Sequence, residues 1–482
     1  MSQTSPIADP IESRKDALRD YQRSYANTRQ RWIEENSYFY SRMKTFLQQL
    51  VEPKKRVLNV RCQTGYFLAG LNPSRGVGTE LTEELVSVAQ TLYPDSHFVR
   101  QDSENLSLEE TFDYVLFDNV SDTADVLETL RRIHTHCERH SRLIIYTYNH
   151  LWEPIVRLAE RFGLKMPLKD QSWLAVADLK NMLSLTDFEL VRNYRLVLVP
   201  KFIPGLSWFF NEVLARLPLI NRLCMVNVVV ARPLVQPMPT NSAMVSVIIP
   251  CRNEAGNIEG CAKRPPELGA RTEIIFCNDR STDNTEQEIL QYQRELPQRI
   301  IRLVQGPGVN KAKNVFTGFD AAAGDILVIL DADLTVVPEE LPYFIEALLS
   351  GKGELINGSR MVYPIDRAAM KLLNMAGNKF FSGVFSYVLG QRVKDTLCGT
   401  KVLWRSDWER IKPFIGSWGV EDRWGDHELL FGAAKLHLKI VDLPVHYEER
   451  IFGATKMVNV FANGFRMLRM SWYGFLRLRL HI

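Results

Sequence analysis

The sequence lacks an excess of charge of either sign. Lysine and arginine number 59 against 56 aspartate and glutamate residues, so the formal net charge is only +3 over 482 residues. Proteins that bind nucleic acid over a broad surface carry a clear basic excess. The charge balance therefore predicts no nucleic-acid partner, although a local basic cluster remains compatible with it.

Closely spaced cysteines are also missing. The seven are widely scattered and include no C-x-x-C pair, standing at Cys62, Cys137, Cys224, Cys251, Cys261, Cys277 and Cys398. Structural zinc sites and disulfide frameworks depend on regularly spaced cysteines, usually in even number. The pattern predicts neither and favours a reducing, cytoplasmic compartment.

Long hydrophobic runs are a third absence. The first twenty residues contain no apolar core of the kind that a secretory signal needs. The two most apolar stretches, residues 202–230 and 457–482, are interrupted by charged side chains and do not read as membrane-spanning helices. We therefore expect a cytoplasmic protein that contacts the cell membrane peripherally, at its inner face.

The chain does contain enough apolar material for more than one core. It is 46% hydrophobic and 24% charged, and its length is about three times the commonest domain size. Strand-like and helical runs alternate in both halves, which predicts two Rossmann-like α/β domains. The expected order is a helical segment (1–50), a first domain (51–232), a proline-rich linker (233–244), a second domain (245–456) and a basic amphipathic segment (457–482). The aromatic stretch 151–230 is expected to be helical.

Candidate binding residues, most of them polar, stand at the ends of three strand-like runs in the second half. They are Pro250, Asn253 and Glu254 after VSVII, Asp279 after EIIFCN, and Asp331 and Asp333 after DILVIL. Ligands of open α/β sheets bind beyond the carboxyl ends of the strands. Two carboxylates one residue apart suit Mg²⁺ or Mn²⁺, which neutralises the charge that develops on a departing nucleoside diphosphate. The pattern predicts a site for a hard divalent cation at Asp331 and Asp333, and the family resemblance of this region implies that the site takes a nucleotide sugar.

The order of these motifs resembles family-two glycosyltransferases of the GT-A fold, from Val245 to about Lys456. The resemblance implies that Pro250, Asn253, Glu254 and Asp279 line the nucleoside pocket, that Lys313 lies near the nucleotide, and that Asp331 and Asp333 carry the ribose and metal contacts. Asn278 departs from the family pattern, because many members have a second acidic residue there. This departure implies a changed preference for the base or the sugar.

The acceptor side of the predicted site contains two candidate catalytic acids. An inverting transfer to a hydroxyl needs a general base on the face opposite the departing nucleotide. Asp426, in GDHELL, lies where many relatives place their catalytic acid, and Asp395, in DTLCGTK, matches an acidic position of the polyprenyl-phosphate branch. Both remain candidates on the sequence alone.

The segment RIFGATK resembles the phosphate-contacting segment of dolichyl-phosphate and other polyprenyl-phosphate sugar transferases. The resemblance implies that Arg450 and Lys456 hold the phosphate of a polyprenyl-phosphate or glycolipid acceptor. Arginine and lysine suit a phosphate by geometry and by charge. Such an acceptor is already ionised and needs little help from a base.

No acidic residue follows Glu449, whereas six basic residues do. In the last part of the chain, apolar side chains recur at helical spacing among the arginines, as in an amphipathic helix. One interpretation is a terminal helix that packs on its own domain. The other is adsorption to an anionic membrane, to which each basic residue contributes about 1 kcal/mol.

In the first half, RVLNVRCQTG, GVGTEL and FDYVLFD resemble class I S-adenosylmethionine-dependent methyltransferases. The resemblance covers about Tyr40 to Pro233. It implies a cofactor site in which Gly65 belongs to the tight turn, Glu80 holds the ribose hydroxyls and Asp102 contacts the adenine.

Three positions of the first half depart from that family. Asn59 stands where an acid is usual, and Arg61 and Gln63 stand where glycines are usual. Two side chains would have to fit where backbone normally touches the cofactor. We therefore expect a scaffold or regulatory domain in preference to a working methyltransferase, although S-adenosylmethionine stays a candidate cofactor.

The expected function is an inverting, metal-dependent sugar transfer from a nucleotide sugar to a polyprenyl phosphate or glycolipid at the membrane face. One alternative is a bifunctional glycosyltransferase and methyltransferase in surface polysaccharide synthesis. Another is a nucleotidyltransferase, which also presents acids at strand ends but has no need of RIFGATK or the basic tail. The last is a binding protein with two inactive sites.

Overall fold

The computed structural model describes residues 10–118, 120–167, 173–363, 372–450, 452 and 460–480. The chain divides into two compact units, Met1–Val235 (unit 1) and Gln236–Ile482 (unit 2). Each unit contains one mixed seven-stranded sheet. The predicted pair of Rossmann-like α/β sheets is confirmed. Strand β7 of unit 1 ends at Pro233 and strand β8 of unit 2 begins at Met244, and residues 234–242 between them are exposed.

The strands of unit 1 are β1 Arg56–Val60, β2 Arg75–Glu80, β3 His97–Arg100, β4 Phe112–Phe117, β5 Cys137–Tyr148, β6 Phe188–Leu196 and β7 Val226–Pro233. They lie in the order β3-β2-β1-β4-β5-β7-β6. The first five are parallel, and β7 runs antiparallel to both of its neighbours. Successive residues of β4 pack into two different core clusters, so both faces of the sheet are covered.

The helices of unit 1 are α1 Pro10–Tyr25, α2 Arg29–Glu35, α3 Ser37–Leu50, α4 Tyr66–Gly70, α5 Glu83–Leu92, α6 Val126–His134, α7 Glu153–Arg161, α8 Val176–Ser184 and α9 Leu206–Trp208. A π-turn at Phe209–Val213 and short 3₁₀ turns at Leu214–Arg216 and Ile220–Leu223 follow α9. The prediction of a helical stretch over 151–230 is wrong in part, because β6 and the start of β7 lie in it. The valine-rich β7 is fully buried, and β-branched residues favour such a strand.

The strands of unit 2 are β8 Met244–Cys251, β9 Arg271–Asn278, β10 Ile300–Gln305, β11 Ile326–Ile329, β12 Leu355–Ser359, β13 Lys401–Trp404 and β14 Ile440–Pro444. They lie in the order β10-β9-β8-β11-β13-β12-β14. The first four are parallel, whereas β13 runs antiparallel to β11 and β12. Alternate residues of β9 enter two core clusters on opposite faces of the sheet.

The helices of unit 2 are α10 Ile258–Lys263, α11 Thr285–Glu295, α12 Lys311–Ala321, α13 Leu341–Leu349, α14 Leu372–Leu389, α15 Arg405–Ile411, α16 Asp426–Lys435 and α17 Val460–Phe475. A π-turn at Leu476–Leu480 follows α17. None of the helices in the described ranges combines the length and the apolar character needed to cross a bilayer.

Candidate functional site

The predicted nucleotide-sugar residues of unit 2 follow three neighbouring parallel strands. The strands β9, β8 and β11 lie side by side, so their carboxyl ends share one edge of the sheet. Asn253 and Glu254 follow β8, Asp279 follows β9, and Asp331 and Asp333 follow β11. Pro250 is the penultimate residue of β8 and is half-buried. The sheet topology thus brings these predicted residues to one end of the unit.

Hydrogen bonds tie the loop after β8 to the loop after β9. Asn253 has a left-handed backbone with φ of 54°, and its Oδ1 accepts from the Thr282 amide at 2.8 Å. The Glu254 amide donates to Thr285 Oγ1 at 2.9 Å. Asp279 is buried, and its Oδ1 accepts from the Gly308 amide at 2.6 Å. The walls of the predicted nucleoside pocket are therefore braced by the protein itself.

The two carboxylates after β11 each have a basic partner. Lys311 Nζ lies 2.5 Å from Asp331 Oδ1, and the Arg450 guanidinium pairs with Asp333. Burial alone would raise the pKa of Asp331, but the Lys311 ammonium outweighs it and holds that pKa below its ordinary value. Thr335 Oγ1 donates to Asp333 Oδ1 at 2.9 Å. Both carboxyl groups are thus oriented, and Asp331 is held as a carboxylate.

The oxygen donors at this edge are of the type that a hard divalent cation prefers. Mg²⁺ is usually held by one or two carboxylates together with phosphate oxygens of the substrate. Asp331 and Asp333 supply such carboxylates, and Lys311 and Arg450 now neutralise them. In the described part of the chain, no group of three or more histidine, cysteine or acidic side chains is arranged to hold a metal. A cation at this edge would therefore depend on substrate oxygens to complete its shell.

The basic residue beside the strand-end acids is Lys311, whereas the sequence pointed to Lys313. Both lie in the first turn of α12, but Lys313 is exposed. The pKa of Lys311 is raised despite its burial, because Asp331, Asp426 and Asp333 all act on it electrostatically. Of these three carboxylates, Asp331 is the one that contacts the Lys311 ammonium group directly.

Asp426 is the first residue of α16, and it pairs with a lysine in the core of unit 2. Lys401 Nζ donates to Asp426 Oδ1 and to the Cys398 carbonyl oxygen, both at 2.6 Å. The Lys401 side chain is fully buried and the Asp426 side chain nearly so. A buried charge is tolerated only with such a partner. The pair fixes Asp426, whose negative charge also acts on Lys311 electrostatically.

Asp422 caps the start of α16. The carboxylate of Asp426 does not serve as the cap and pairs with Lys401 instead. Asp422 Oδ2 accepts from the amides of His427 and Glu428 at 2.9 and 3.0 Å. Against its own burial, the neighbouring His427 and these amides lower the pKa of Asp422 to about 2. Burial instead raises the pKa of Glu428 to about 7, although its Oε1 accepts from the Gly416 amide.

Asp395 is buried, and both of its carboxylate oxygens are engaged. Arg360 donates to them through Nε at 2.7 Å, through Nη2 at 2.9 Å and through its amide at 3.1 Å, and the Leu397 amide donates at 3.1 Å. Burial would raise the pKa of Asp395, but Arg360 reverses the shift and lowers it. These contacts stabilise the carboxylate and fix the start of the 395–401 segment. Later in that segment Gly399 lies so close to Asp331 that an added Cβ would overlap the carboxylate.

The predicted acceptor-phosphate residues are described in part. Arg450 lies against Asp333, which places this basic side chain at the strand-end cluster. Lys456 lies outside the described residues.

The turn after β1 in unit 1 is the predicted cofactor turn, and side chains fill it. Arg61 and Gln63 have left-handed backbones, with φ of 60° and 52°, as does Gly65 with φ of 78°. Arg61 and Gln63 are buried; Arg61 Nη2 donates to the Asp122 carbonyl oxygen at 3.0 Å, and Gln63 Oε1 accepts from Arg29 of α2. Glycine is the residue that usually provides this backbone and leaves room for a ligand.

Helix α1 engages the acids that the methyltransferase resemblance assigned to the cofactor. Glu80 is buried, and it accepts from Gln22 Nε2 at 2.9 Å and from the Gln63 amide at 2.7 Å. Asp102 pairs with Lys15 Nζ at 2.8 Å. Opposing burial, hydrogen bonds with the Glu104 side chain, with Lys15 and with the Glu104 amide lower the pKa of Asp102 to about 2. The residues present therefore do not fit S-adenosylmethionine, because protein groups occupy the turn and both acids.

Sequence reasoning missed four residues that organise these sites. They are the partners of the predicted acids and the helix cap, namely Lys311, Arg360, Lys401 and Asp422. Lys401 is the last residue of the DTLCGTK motif, and Asp422 lies four residues before the first residue of α16. Both could therefore have been found from the local sequence. Arg360 stands 35 residues before its partner Asp395, a separation that no local pattern spans.

Comparison with known proteins agrees with the motif order in unit 2. Residues 246–410 match the family model of glycosyl transferase family 2. The chain is 38% identical over 120 residues to a dolichol-phosphate mannosyltransferase of Pyrococcus furiosus, covering 24% of this chain and 33% of that relative. The chain spans about a third to a half of the length of the curated relatives it matches. Unit 2 therefore contains a glycosyltransferase family 2 domain, as the sequence predicted.

Two solved structures align with parts of the chain. One is a glucosyl-3-phosphoglycerate synthase of Mycobacterium tuberculosis in complex with Mn²⁺ and uridine diphosphate, at 19% identity over 49% of this chain and 80% of that one, with a TM-score of 0.35. The other is an S-adenosylmethionine-dependent methyltransferase of Thermotoga maritima, at 16% identity over 45% of this chain and 99% of that one, with a TM-score of 0.36.

Proposed function

We propose that unit 2 transfers a sugar, with inversion, from a nucleotide sugar to a polyprenyl phosphate at the cytoplasmic face of a membrane. The observation that carries the proposal is the pairing of the strand-end acids with basic side chains at the carboxyl end of the sheet: Lys311 pairs with Asp331, and Arg450 pairs with Asp333. Acids at this edge suit the donor, and an arginine suits a phosphate acceptor.

In the proposed reaction an acceptor phosphate oxygen attacks the anomeric carbon of the sugar. The bond from that carbon to the nucleoside diphosphate breaks, and the diphosphate leaves with the bonding electrons. A divalent cation held by Asp331 and Asp333 would neutralise the charge that develops on the diphosphate. Lys311 would add positive charge at the same place once donor binding loosens its pair with Asp331.

Of the two candidate acids, we assign the position nearest the reaction to Asp426. Asp395 receives four hydrogen bonds, three of them from Arg360, and acts as a positioning residue for the 395–401 segment. Asp426 is linked electrostatically to Lys311, as are Asp331 and Asp333. An ionised phosphate acceptor has no proton to lose, so Asp426 would not act as a base towards it. Asp426 would instead help to orient the acceptor through its pair with Lys401 and through the electrostatic field of that pair. A glycolipid hydroxyl would instead need a carboxylate that accepts its proton.

The C-terminal helix supports contact with a membrane. On α17 and the following turn, one side packs into the core of unit 2 through Met467, Met470 and Leu478. The exposed side alternates apolar and basic residues, namely Phe465, Arg466, Leu468, Arg469, Trp472 and Arg477. The packed side agrees with the first interpretation of the sequence, and the exposed side suits an anionic lipid surface, as the second interpretation requires.

We infer further that unit 1 does not bind S-adenosylmethionine, because Arg61 and Gln63 fill the turn and α1 engages Glu80 and Asp102. It would then serve the chain as a scaffold. The bifunctional alternative requires these side chains to leave a cofactor site that they now occupy.

The test of the main proposal is a transfer assay with the full chain, Mn²⁺, radiolabelled UDP- or GDP-sugars and a short-chain polyprenyl phosphate. The expected product is a lipid-linked sugar phosphate that requires both the metal and the acceptor phosphate. Transfer to a phosphate-free glycolipid but not to the polyprenyl phosphate would contradict the assigned acceptor. Transfer of a nucleotidyl group would contradict the reaction class.

A further inference from the structure

On one surface of unit 1, large apolar side chains face outward, which is the reverse of the usual arrangement in a globular protein. Its first part is α7 with its flanking turns, where Leu151, Ile155, Leu158 and Phe162 are all exposed. These positions are separated by four, three and four residues, which puts them on one side of a helix. In a helix of a globular protein such a stripe faces the core, but here the stripe faces outward. Phe162 is 69% exposed.

The second part of this surface is the segment 201–223, which shows the same inversion. Small and polar residues point inward: Ser207, Asn211 and Ala215 are almost completely buried. Asn211 Oδ1 accepts from the amides of Leu198 and Val199 at 2.7 and 3.0 Å, which ties the segment to the end of β6.

Large apolar side chains of that segment point outward. Among them Trp208 is 63% and Leu219 is 76% exposed. Exposed large apolar residues scattered singly are ordinary, but a concentration of them in two short segments marks an interaction surface.

The two parts are joined at one end by hydrogen bonds. Trp152 Nε1, at the start of α7, donates to the Leu223 carbonyl oxygen at 2.7 Å. Asn149 Nδ2 donates to the carbonyl oxygens of Arg222 and Cys224 at 2.9 and 3.0 Å. We call residues 151–165 and 201–223 together the apolar face of unit 1.

The charges on the apolar face indicate which kind of partner it binds. It contains six basic residues and three acidic ones, Glu153, Glu160 and Glu212. Each acid already pairs with a base, at 2.6 Å to Arg157, 2.6 Å to Lys165 and 2.7 Å to Arg42 respectively. A second copy of the chain is a poor partner, because a two-fold contact would set one basic face against another.

We propose that the apolar face of unit 1 binds the surface of an anionic lipid bilayer. Exposed tryptophan, phenylalanine and leucine enter the boundary between headgroups and acyl chains, while lysine and arginine contact anionic headgroups. The face lies on unit 1 and does not include the C-terminal helix of unit 2. It gives unit 1 a role that does not depend on S-adenosylmethionine.

The test is flotation of the full chain with vesicles of phosphatidylcholine alone or with phosphatidylglycerol. Trp208→Ser with Leu219→Ser removes two exposed side chains without touching the buried Asn211 anchor. The matched control is Leu185→Ser with Tyr343→Ser, whose side chains are 60% and 62% exposed outside the face. Both pairs are also placed in a Phe465→Ser, Trp472→Ser background, which weakens the exposed side of α17.

We expect the unit 1 pair to weaken binding to anionic vesicles about tenfold in both backgrounds, and the control to leave it unchanged. Equal flotation of the unit 1 pair and the wild type in both backgrounds would overturn the proposal. So would a wild type that does not float, or a change in molar mass by light scattering with unchanged flotation, which would indicate self-association. Thermal stabilisation of unit 2 by nucleotide and Mn²⁺ should be equal in every variant, so a failure here is distinguishable from a failure of the proposed glycosyl transfer.

Discussion

The two units present acidic residues at the carboxyl ends of parallel strands, but they treat these acids differently. In unit 1, Glu80 accepts from a neutral glutamine side chain and from backbone amides, and the turn beside it is filled by Arg61 and Gln63. In unit 2, Asp331 and Asp333 pair with Lys311 and Arg450, long side chains that can exchange one anionic partner for another. Unit 1 also pairs one such acid, Asp102, with a lysine, Lys15, so the contrast rests on Glu80 and on the filled turn beside it, which make the site of unit 1 a closed one.

The difference teaches that a strand-end acid is informative only together with its partners. An acid held by backbone amides and a buried glutamine contributes to folding. An acid whose charge is balanced by a lysine or arginine at a cleft can give up that partner to a metal ion or a phosphate. Each of the following changes tests one side of this comparison.

The largest effect is expected from Asp333→Ala, which removes a proposed metal ligand of unit 2. Transfer of sugar should fall by at least about 100-fold, because the charge on the departing diphosphate would lose its counterion. The circular dichroism spectrum should be unchanged. The matched control is Asp102→Asn in unit 1, which should leave turnover at the wild-type level. A comparable loss in the control would show that unit 1 takes part in the reaction.

The second largest effect is expected from Lys401→Met, which leaves the buried carboxylate of Asp426 without its partner. The stability of unit 2 should fall by roughly 3–5 kcal/mol, because an unpaired buried charge is strongly unfavourable. Chemical denaturation followed by the fluorescence of unit 2 measures the change. Lys412→Met is the control, since its pair with Asp320 is exposed to solvent, and it should cost less than about 1 kcal/mol. Equal losses would mean that the Lys401 pair is not buried in solution.

The sequence supplied most of the fold and the positions of the strand-end acids. Both follow from local patterns: buried apolar runs predict strands, and the parallel arrangement brings their ends together. The pairing of those acids did not follow, because Arg360 and Asp395 meet only after the sheet has formed. The aromatic character of residues 151–230 suggested packing against the second domain or a membrane surface, but which side chains point inward, such as Asn211, and which outward, such as Trp208, did not follow from it.

A third change tests the closed site of unit 1 through its pH dependence. Burial, reinforced by Glu80, raises the pKa of Asp118 to about 7, although Asn59 and Arg29 oppose the shift. Between about pH 4 and pH 7 the folded state therefore holds a proton that the unfolded state has lost, so the stability of unit 1 should fall as pH rises through this range.

Asp118→Asn removes that proton equilibrium and keeps the shape of the side chain. Unit 1 should gain roughly 4 kcal/mol at pH 8 and nothing at pH 4. Hydrogen exchange of the buried β4 amides measures the gain. Asp113→Asn is the control, because Asp113 is a half-buried residue of β4, the strand that ends just before Asp118. A gain of equal size at both pH values would contradict the titration.

The smallest effect compares two lysines of the same helix turn in unit 2. Lys311→Ala should lower kcat/KM about tenfold, because its ammonium group contacts the strand-end carboxylate of Asp331. Lys313→Ala should change kcat/KM by less than about twofold, since Lys313 is exposed and away from Asp331. The reverse order would restore the role that the sequence resemblance gave to Lys313.

The contrast between the two units is tested most directly by titration calorimetry of the wild-type chain. The ligands are S-adenosylmethionine in one titration and a nucleoside diphosphate with Mn²⁺ in the other. We predict saturable heat for UDP or GDP with the metal and no heat for S-adenosylmethionine, because side chains fill the cofactor turn of unit 1. Saturable binding of S-adenosylmethionine, displaced by its demethylated product, would contradict a closed unit 1.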